Sequence, residues 1–314
     1  MKDIQVTGVV DADGAWVREI SKQFGVLFCS SNHADLFGRV DAVLVATPNS
    51  THSRIATDFL EQGIHVLCEK PLAVSCTEAE GMIASANKSG ARLMAAQSRR
   101  FASNILLSHQ MIASGYFGAI RRLSASLGGD YRSWKARTDY RSRKELAGGG
   151  VLMDNGIHLI DLAIWFLGSA PNLIEISRLE HSLGWGMEDH AELDLRFGDA
   201  SASVMCSYTR GLSAALRIDA ERGWLRADLN DSGDLEFYLP GSRLCRNDGV
   251  QRAVFPNGGQ HGYSGIWSHF CHALRSGEPF GVTPDQVIAA LRTVEFCYAT
   301  GVAPLGAERE REQQ

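Results

Sequence analysis

Hydrophobic and polar positions along the first hundred residues predict strands and helices in turn. Short apolar runs, such as the nearly continuous Asp41–Thr47, are typical of strands buried on both faces. Between them lie amphipathic segments with helical spacing, two of which end at Gly25 and Gly63. Strands that alternate with helices indicate a parallel, doubly wound sheet with right-handed crossovers. We therefore predict an α/β domain over residues 1–101.

After Arg100 the pattern changes to closely spaced segments in which apolar and polar residues alternate, separated by turn residues. Such a pattern predicts a mostly antiparallel sheet with one face in water. A glycine-rich turn at Gly148–Gly150 leads into an apolar helix over Val151–Gly168, and two further helices close the pattern. The prediction for residues 102–314 is an α+β domain with an open sheet.

Composition narrows the classes of protein that this chain could represent. Its 314 residues carry a net charge of −5 and no Lys/Arg block, which argues against a nucleic-acid surface. The apolar run Leu159–Leu167 contains an aspartate and is too short to span a bilayer, and the N-terminus lacks a signal-peptide pattern. Seven scattered cysteines without a C-x-x-C pair argue against disulfides or zinc. We expect a cytoplasmic protein without a membrane segment or metal.

A first candidate motif, Ala46–His52 ("ATPNSTH"), follows the predicted strand "DAVLV". Ligands of open parallel sheets bind beyond the carboxyl ends of strands, so Thr47 and Asn49 are candidates to contact a cofactor ribose or phosphate. In a purely structural alternative, Pro48 and Asn49 turn the chain and Ser50 or Thr51 caps the next helix.

A second motif, Cys68–Val74 ("CEKPLAV"), also lies at the carboxyl end of a strand. The residue before a proline avoids the helical region, so Lys70 leaves the sheet in extended form. A lysine there can act as an acid or direct a carbonyl oxygen. The alternative is a surface ion pair between Lys70 and Glu69.

A third motif, "GGGVLMDNGIHLIDLAIW", places Asp154 and His158 four residues apart, on one face of a helix. A carboxylate so placed can orient an imidazole and leave it to exchange a proton with a hydroxyl. The glycines before the helix would allow a ligand to approach. One alternative is a metal pair, although no further ligand has matching spacing; another is hydrogen bonding on the helix surface.

Taken in order, "ATPNSTH", "GIHVLCEKPLA", "QSRRF" and "GGGVLMDNGIHLIDLAIWFLG" resemble the Gfo/Idh/MocA family of NAD(P)-dependent oxidoreductases, from about Ile4 to Gly301. The resemblance implies a Rossmann-like domain and a second, sheet-based domain that forms dimers or tetramers. It implies hydride transfer between a nicotinamide and a carbon bearing a hydroxyl, on a sugar, inositol or similar polyol.

The resemblance also implies roles for individual residues. Lys70, Asp154 and His158 are the implied catalytic set: His158 exchanges the hydroxyl proton, Asp154 orients it and binds substrate, and Lys70 binds the reacting oxygen. The expected cofactor contacts are Asp11, Thr47, Pro48, Asn49, His52, Glu69 and Lys70. There are four weaker candidates for the sugar pocket, namely Arg100, Tyr131, Trp134 and Tyr263. For each of them, packing or a surface contact is the alternative. Asp11, as the ribose acid, favours NAD over NADP because it would repel a 2′-phosphate.

The chain departs from the family pattern at its start. No G-x-G-x-x-G hexad occurs in the sequence, and "MKDIQVTGVVDAD" aligns with the end of the family's first helix and its second strand. We therefore expect the first βα unit to be missing, through a misassigned start codon, a truncation, or a chain that closes the gap. That unit includes the central strand of the sheet, so two strand edges would lack partners.

Two other functions are compatible with these residues. One is hydrolysis or elimination on a glycoside with transient use of NAD. The other is a sugar-binding regulatory protein without redox activity, which the missing phosphate loop favours and the intact Lys70, Asp154 and His158 set opposes.

Overall fold

The computed structural model describes residues 4–133, 138–230, 233–241, 249–255 and 262–301. Its first third alternates strands and helices, as the apolar pattern predicts. The strands are β1 (Gly8–Val10), β2 (Phe28–Ser30), β3 (Ala42–Val45), β4 (His65–Glu69) and β5 (Leu93–Ala96). The helices between them are α1 (Gly14–Phe24), α2 (His52–Glu61) and α3 (Cys76–Ser89).

Local sequence signals begin and end these helices. The Asp13 carboxylate accepts hydrogen bonds from the first backbone amides of α1, and Gly25 ends that helix with φ 67°. The hydroxyl of Ser75 caps α3 in the same way, and Gly90 ends it with φ 75°.

All pairings among β1–β5 are parallel, which confirms the predicted Rossmann-like layout. The strands nevertheless form two separate sheets, one of β1 and β2 and one of β3, β4 and β5. Within the described residues, β1 and β3 do not pair, which agrees with the expectation of two strand edges without partners. Leu44 in β3 is 41% exposed, which is unusual in a strand of this kind.

The rest of the chain is built on one eight-stranded sheet, in the order β13-β12-β11-β10-β6-β9-β8-β7. Six of its seven pairings are antiparallel, and β6 with β9 is parallel. The predicted open, mostly antiparallel sheet is confirmed. Its strands are β6 (Ile120–Gly128), β7 (Leu173–Glu180), β8 (His190–Phe197), β9 (Ala200–Ser207), β10 (Ala215–Ala220), β11 (Gly223–Asp228), β12 (Leu235–Tyr238) and β13 (Gln251–Ala253).

The helices of this part are α4 (Ser103–Ala113), α5 (Lys144–Ala147), α6 (Ile157–Leu167), α7 (Tyr263–Ser276) and α8 (Pro284–Gly301). A π-helical turn, Leu152–Gly156, leads directly into α6. Helix α6 contacts β6 and β9 on one side and α8 on another, and α8 also contacts α3 of the first third.

Helix α6 is the centre of the core. The helical stretch Lys144–Leu167 is long and apolar enough to cross a membrane by length and composition, and it is longer than the apolar run seen in the sequence. However, 83% of its most apolar window is buried inside the protein. Its apolar side chains are therefore accounted for by packing against the sheet and α8.

Candidate active site

The site centres on an ion pair between the two halves of the chain. Lys70, which follows β4, places its Nζ atom 2.5 Å from Oδ1 of Asp154 and 2.8 Å from the Asp154 backbone carbonyl oxygen. Both side chains are largely buried, at 15% and 16% exposure. The predicted alternative, an ion pair of Lys70 with Glu69, is wrong for this structure, because the lysine ammonium bonds to Asp154.

Two further side chains hold the Asp154 carboxylate. Nε of Arg141 lies 3.1 Å from Oδ2, and the Tyr208 hydroxyl donates to the same oxygen over 2.9 Å. Burial by itself would raise the pKa of Asp154, but the charges of Lys70 and Arg141 and the hydrogen bonds outweigh it and lower that pKa. Asp154 is therefore a fixed anion between two cations, and burial raises the pKa of Tyr208, which remains a hydrogen-bond donor.

The local chain geometry explains why Lys70 reaches this carboxylate. Strand β4 ends at Glu69, and Pro71 follows Lys70, so the chain leaves the sheet at its carboxyl edge. Asp154 lies in the π-helical turn before α6, which widens the helix at that point. π-Turns of this type are frequent at functional sites.

His158 lies in the first turn of α6 and is 8% exposed. It follows Asp154 by four residues along the same continuous helix, as the sequence predicts. The orientation of its imidazole by Asp154 stays a prediction.

The Ala46–His52 motif forms a short 3₁₀ turn, Asn49–Thr51, ahead of α2. Asn49 is buried, and its amide donates a hydrogen bond to the backbone oxygen of Ala147 across the two halves of the chain, at 2.9 Å. The Thr51 hydroxyl bonds to the Thr47 hydroxyl and to the Pro48 carbonyl, and it does not cap the helix. The motif thus ties the first domain to the segment before the glycine turn.

His52 lies beneath this turn with 1% exposure. Its Nδ1 is 2.8 Å from the backbone oxygen of Pro71, and its Nε2 is 2.8 Å from that of Thr47. Burial lowers the pKa of His52, and a neutral imidazole carries one N–H, so the ring donates to one of these carbonyls and only contacts the other. His52 thereby links the loop after β3 to the loop that carries Lys70. Any influence of His52 on a cofactor is through these two loops.

Asp11 follows β1, is half-buried, and accepts a hydrogen bond from the backbone amide of Asp13 at 2.9 Å. Glu69 accepts a hydrogen bond from the backbone amide of Lys70. Burial raises the pKa of Glu69, and the charge of Lys70 opposes that shift.

The four weaker candidates for a sugar pocket lie in different surroundings. Arg100 is 1% exposed and forms a bidentate ion pair with Asp161 at 2.6 and 2.7 Å, so its guanidinium lies in the core. The ring of Tyr131 is 5.3 Å from the ring of Tyr208, whose hydroxyl donates to Asp154. Burial raises the pKa of Tyr263, and the negative charge of nearby Glu69 raises it further. Trp134 lies outside the described residues.

Arg141 and Tyr208 are site residues that sequence reasoning missed. Alternate residues of β9, Ala202, Val204 and Cys206, face the core, and the same alternation extended by two residues places Tyr208 on that side. Arg141 lies in a polar stretch whose pattern carries no comparable signal.

Two buried polar atoms next to the ion pair lack a hydrogen-bond partner within the described residues. They are Oε1 of Gln97, the residue after β5, and Nδ2 of Asn155, the residue after Asp154. Ala96 pairs with Glu69, so Gln97 and Lys70 leave adjacent strands at the same edge of the sheet. Because buried polar atoms are nearly always bonded, these two are available to bond a ligand.

The expectation that the glycine turn admits a ligand needs correction. A Cβ at Gly148 would lie 2.4 Å from Val74, one at Gly149 2.3 Å from the Tyr298 hydroxyl, and one at Gly150 1.9 Å from the Glu188 carbonyl oxygen. The close neighbours of all three glycines are therefore protein atoms. Among the residues that the structure describes, no group of three or more His, Cys, Asp or Glu could hold a metal.

Comparisons with known proteins agree with the fold. Residues 1–97 match a model described as an oxidoreductase family with an NAD-binding Rossmann fold, and residues 105–226 match the GFO/IDH/MocA C-terminal domain.

Three similar proteins illustrate the match. The rhizopine catabolism protein MocA of Rhizobium meliloti is 27% identical over 266 residues, which are 82% of this chain and 75% of that protein. The scyllo-inositol 2-dehydrogenase (NADP(+)) IolU of Bacillus subtilis strain 168 is 27% identical over 233 residues, 73% of this chain and 70% of that protein. The crystal structure of GenD2 from gentamicin A biosynthesis, in complex with NAD, superposes with a TM-score of 0.80 at 26% identity and covers 95% of this chain and 87% of that one.

Proposed function

We infer the reaction of this chain from one premise: it belongs to the Gfo/Idh/MocA family of oxidoreductases, whose two domain models it matches. We propose that it transfers a hydride between a nicotinamide cofactor and a hydroxyl-bearing carbon of a sugar, inositol or related polyol. Support for a polyol comes from the similar Bacillus subtilis protein, a scyllo-inositol dehydrogenase. The observation that carries the proposal is the contact of Lys70 with Asp154.

The geometry of Lys70 suits it to bind a reacting oxygen. An ammonium has three N–H donors, and the carboxylate and carbonyl oxygens of Asp154 accept two of them. In our proposal the third N–H donates to the substrate oxygen, and the positive charge stabilises the negative charge that develops there.

In our proposal, His158 handles the proton. Its imidazole takes the hydroxyl proton as the alcohol is oxidised and returns it when the carbonyl is reduced. Asp154 holds Lys70 in place and, as an anion, favours the protonated form of the imidazole. A bound nicotinamide cofactor supplies the hydride acceptor or donor.

The groups beyond the carboxyl ends of the parallel strands fit a nicotinamide dinucleotide in part. Asp11 after β1 suits a ribose hydroxyl, and the Thr47–Asn49 turn and Lys70 lie after β3 and β4. Oε1 of Gln97 and Nδ2 of Asn155 are buried and lack protein partners within the described residues. We propose NAD rather than NADP, because the Asp11 carboxylate would repel a 2′-phosphate.

The experiment that tests this function uses the purified 314-residue chain. Calorimetry measures the binding of NAD⁺ and NADH, and absorbance of NADH follows turnover with a panel of sugars, inositols and linear polyols. We expect turnover with at least one compound and its loss in His158→Asn, with the exposed Arg121→Gln as the matched control. Release of an aglycone from a glycoside without net NADH would favour the hydrolase alternative. Sugar binding without turnover would favour the regulatory one.

We also propose that the protein is a cytoplasmic homodimer or homotetramer assembled through the open face of the eight-stranded sheet. Arg217 and two aromatic residues, Trp224 and Tyr238, lie on the face of the sheet opposite its buried side chains. This mixture of charged and aromatic side chains suits an interface. The six described cysteines are unpaired, as suits a reducing compartment. Sedimentation of the wild type against Trp224→Glu tests the assembly, since a monomeric wild type would contradict it.

A further inference from the structure

Glu188, which precedes β8, holds the first turn of the helix that carries Asp154 and His158. Its Oε1 accepts a hydrogen bond from the Leu152 amide at 2.9 Å, and its backbone oxygen accepts one from the Val151 amide at 2.9 Å. The Tyr298 hydroxyl on α8 donates to the same Oε1 at 2.9 Å. That hydroxyl in turn accepts from the Gly150 amide at 3.2 Å. Three successive amides of this helix start are therefore bonded by two side chains and one carbonyl from elsewhere in the chain.

These contacts complete a helix end that would otherwise lack partners. The first amides of a helix have no acceptor within the helix, and the helix dipole favours a negative charge beside them. Sequence-local caps of the kind seen at α1 and α3 do not occur here, because the residues before the turn are glycines. Glu188 supplies the missing acceptor from 36 residues away.

The glycine turn is shaped to admit Glu188 and Tyr298. A side chain at Gly150 would collide with the Glu188 carbonyl, and one at Gly149 with the Tyr298 hydroxyl. The backbone can come this close only because both positions lack a Cβ.

Glu188 is 4% exposed, and no Lys or Arg pairs with it within the described ranges. The titratable groups that face it are Tyr298 and Cys297 on α8, Cys206 on β9, and Tyr208 just beyond β9. Burial raises the pKa of Glu188, and the hydrogen bonds from Leu152 and Tyr298 oppose that shift. A buried carboxylate without a cationic partner is costly, and here the hydrogen bonds from the Leu152 amide and the Tyr298 hydroxyl offset that cost.

We propose that Glu188 is a positioning residue for the reaction proposed above: it sets the start of the π-helical turn and hence the place of Asp154 against Lys70. Asp154 lies two residues after Leu152, and its own amide donates to the Gly150 carbonyl at 3.1 Å. A shift of the Leu152 amide therefore moves the Asp154 carboxylate relative to Lys70 on the other domain. Displacements of about 1 Å in such a site can lower a rate about 100-fold.

The test compares Glu188→Gln, which keeps an acceptor oxygen but removes the charge, with Tyr298→Phe and with Glu175→Gln, an exposed control on β7. We expect Glu188→Gln to lower kcat about 10- to 100-fold while KM for the cofactor changes less than about threefold. The wild-type kcat should fall at acidic pH as Glu188 is protonated. Glu188→Gln should have a low kcat and should lack the part of the acidic fall in kcat that is due to protonation of Glu188. A merely structural role would not change the pH profile in this way.

A folded Glu188→Gln with wild-type kcat and pH profile would overturn the proposal. If Glu188→Gln does not fold, Tyr298→Phe decides, because it removes one hydrogen bond to the carboxylate and keeps the ring. An unchanged kcat in that variant overturns the proposal equally.

Failure of the dehydrogenase function has a separate signature, namely a wild type without turnover on any compound. Hydrogen exchange of residues 150–154 then tests the positioning on its own. Faster exchange in Glu188→Gln than in Glu175→Gln supports it, and equal exchange overturns it.

Discussion

Lys70 Nζ and the Asp154 carboxylate, 84 residues apart in sequence, meet at 2.5 Å where the two domains face each other. The lysine follows a parallel strand of the first domain, and the aspartate lies in the π-helical turn that begins the core helix of the second. The contact therefore joins the predicted cofactor domain to the predicted substrate domain at the place where chemistry is expected.

Replacement of Lys70 by Met tests its charge. The variant keeps most of the side-chain length but leaves Asp154 with Arg141 as its remaining described cation. We expect kcat/KM to fall about 10²- to 10³-fold, since the hydrogen bond to the reacting oxygen and the stabilising positive charge are both lost. Lys70→Arg is the matched control: it keeps the charge, but a planar guanidinium should not restore the rate. Steady-state kinetics measure both, and a Met variant as active as the wild type would contradict the assignment.

Asp154 makes the stability of the protein depend on pH. Its pKa is lower in the folded chain than the value of about 3.9 expected when unfolded. Its stabilising contribution is therefore present above about pH 4 and is lost as the pH falls through the folded pKa.

The Asp154→Asn variant lacks this contribution. The difference in free energy of unfolding between wild type and variant should be largest near neutral pH and should narrow below about pH 4. Glu69 and Glu188, whose pKa values burial raises, are present in both proteins and cancel in the difference. Urea unfolding at a series of pH values measures it, and a difference that stays constant over this range would contradict the prediction.

Arg100 and Asp161 form a buried pair that should act on stability rather than directly on substrate. Removing either partner alone, as in Arg100→Met or Asp161→Leu, leaves an uncompensated buried charge and should cost about 3–5 kcal/mol. The double variant should cost clearly less than the sum of the two single variants. Denaturant unfolding gives all three values, with Arg121→Ala of an exposed pair as a control expected to cost at most about 1 kcal/mol.

His52 should connect stability with cofactor binding. His52→Phe fills a similar space but removes the ring N–H from whichever of the Thr47 and Pro71 carbonyls accepts it, at a cost of about 1–3 kcal/mol for the buried oxygen left unbonded. Because these carbonyls belong to the two predicted cofactor loops, KM for the cofactor should rise as well. His33→Gln, at another histidine of the same domain, is the control. A rise in KM in both variants alike would remove the specific link to His52.

Asp11 should set the choice between the two nicotinamide cofactors. Asp11→Ser removes the negative charge next to the predicted ribose site, so the ratio of kcat/KM for NADP to that for NAD should rise about tenfold or more. Glu19→Ser, on the polar surface of α1, is the control for a general change of charge. An unchanged ratio in Asp11→Ser would place the ribose elsewhere.

Much of the fold and part of the site could be predicted from the sequence. Periodicity identified β3, β4 and β5 and the strands of the second sheet other than the short β13, because each of these segments buries alternate or continuous apolar residues whatever its partners are. The three motifs around Thr47, Lys70 and Asp154 could be found because strand ends and helix spacing are local properties.

Other features could not be read locally. The glycines of the turn before the core helix looked like room for a ligand, yet their neighbours are Val74, Tyr298 and Glu188. Arg100 was a weaker candidate for the sugar pocket, with packing as its alternative, and it forms an ion pair with Asp161 in the core. No local pattern indicates which distant side chain fills a space.

The sequence by itself therefore determined the order of most of the elements, their apolar faces and the residue types at the ends of the strands, since these depend on neighbours along the chain. Only the tertiary structure decided that Lys70 pairs with Asp154, that Tyr208 and Arg141 share that carboxylate, and that Glu188 caps the helix. Each of these is a contact between segments far apart in sequence. Such contacts depend on how the buried faces pack, because a charge removed from water must find its partner among whatever groups the packing brings beside it.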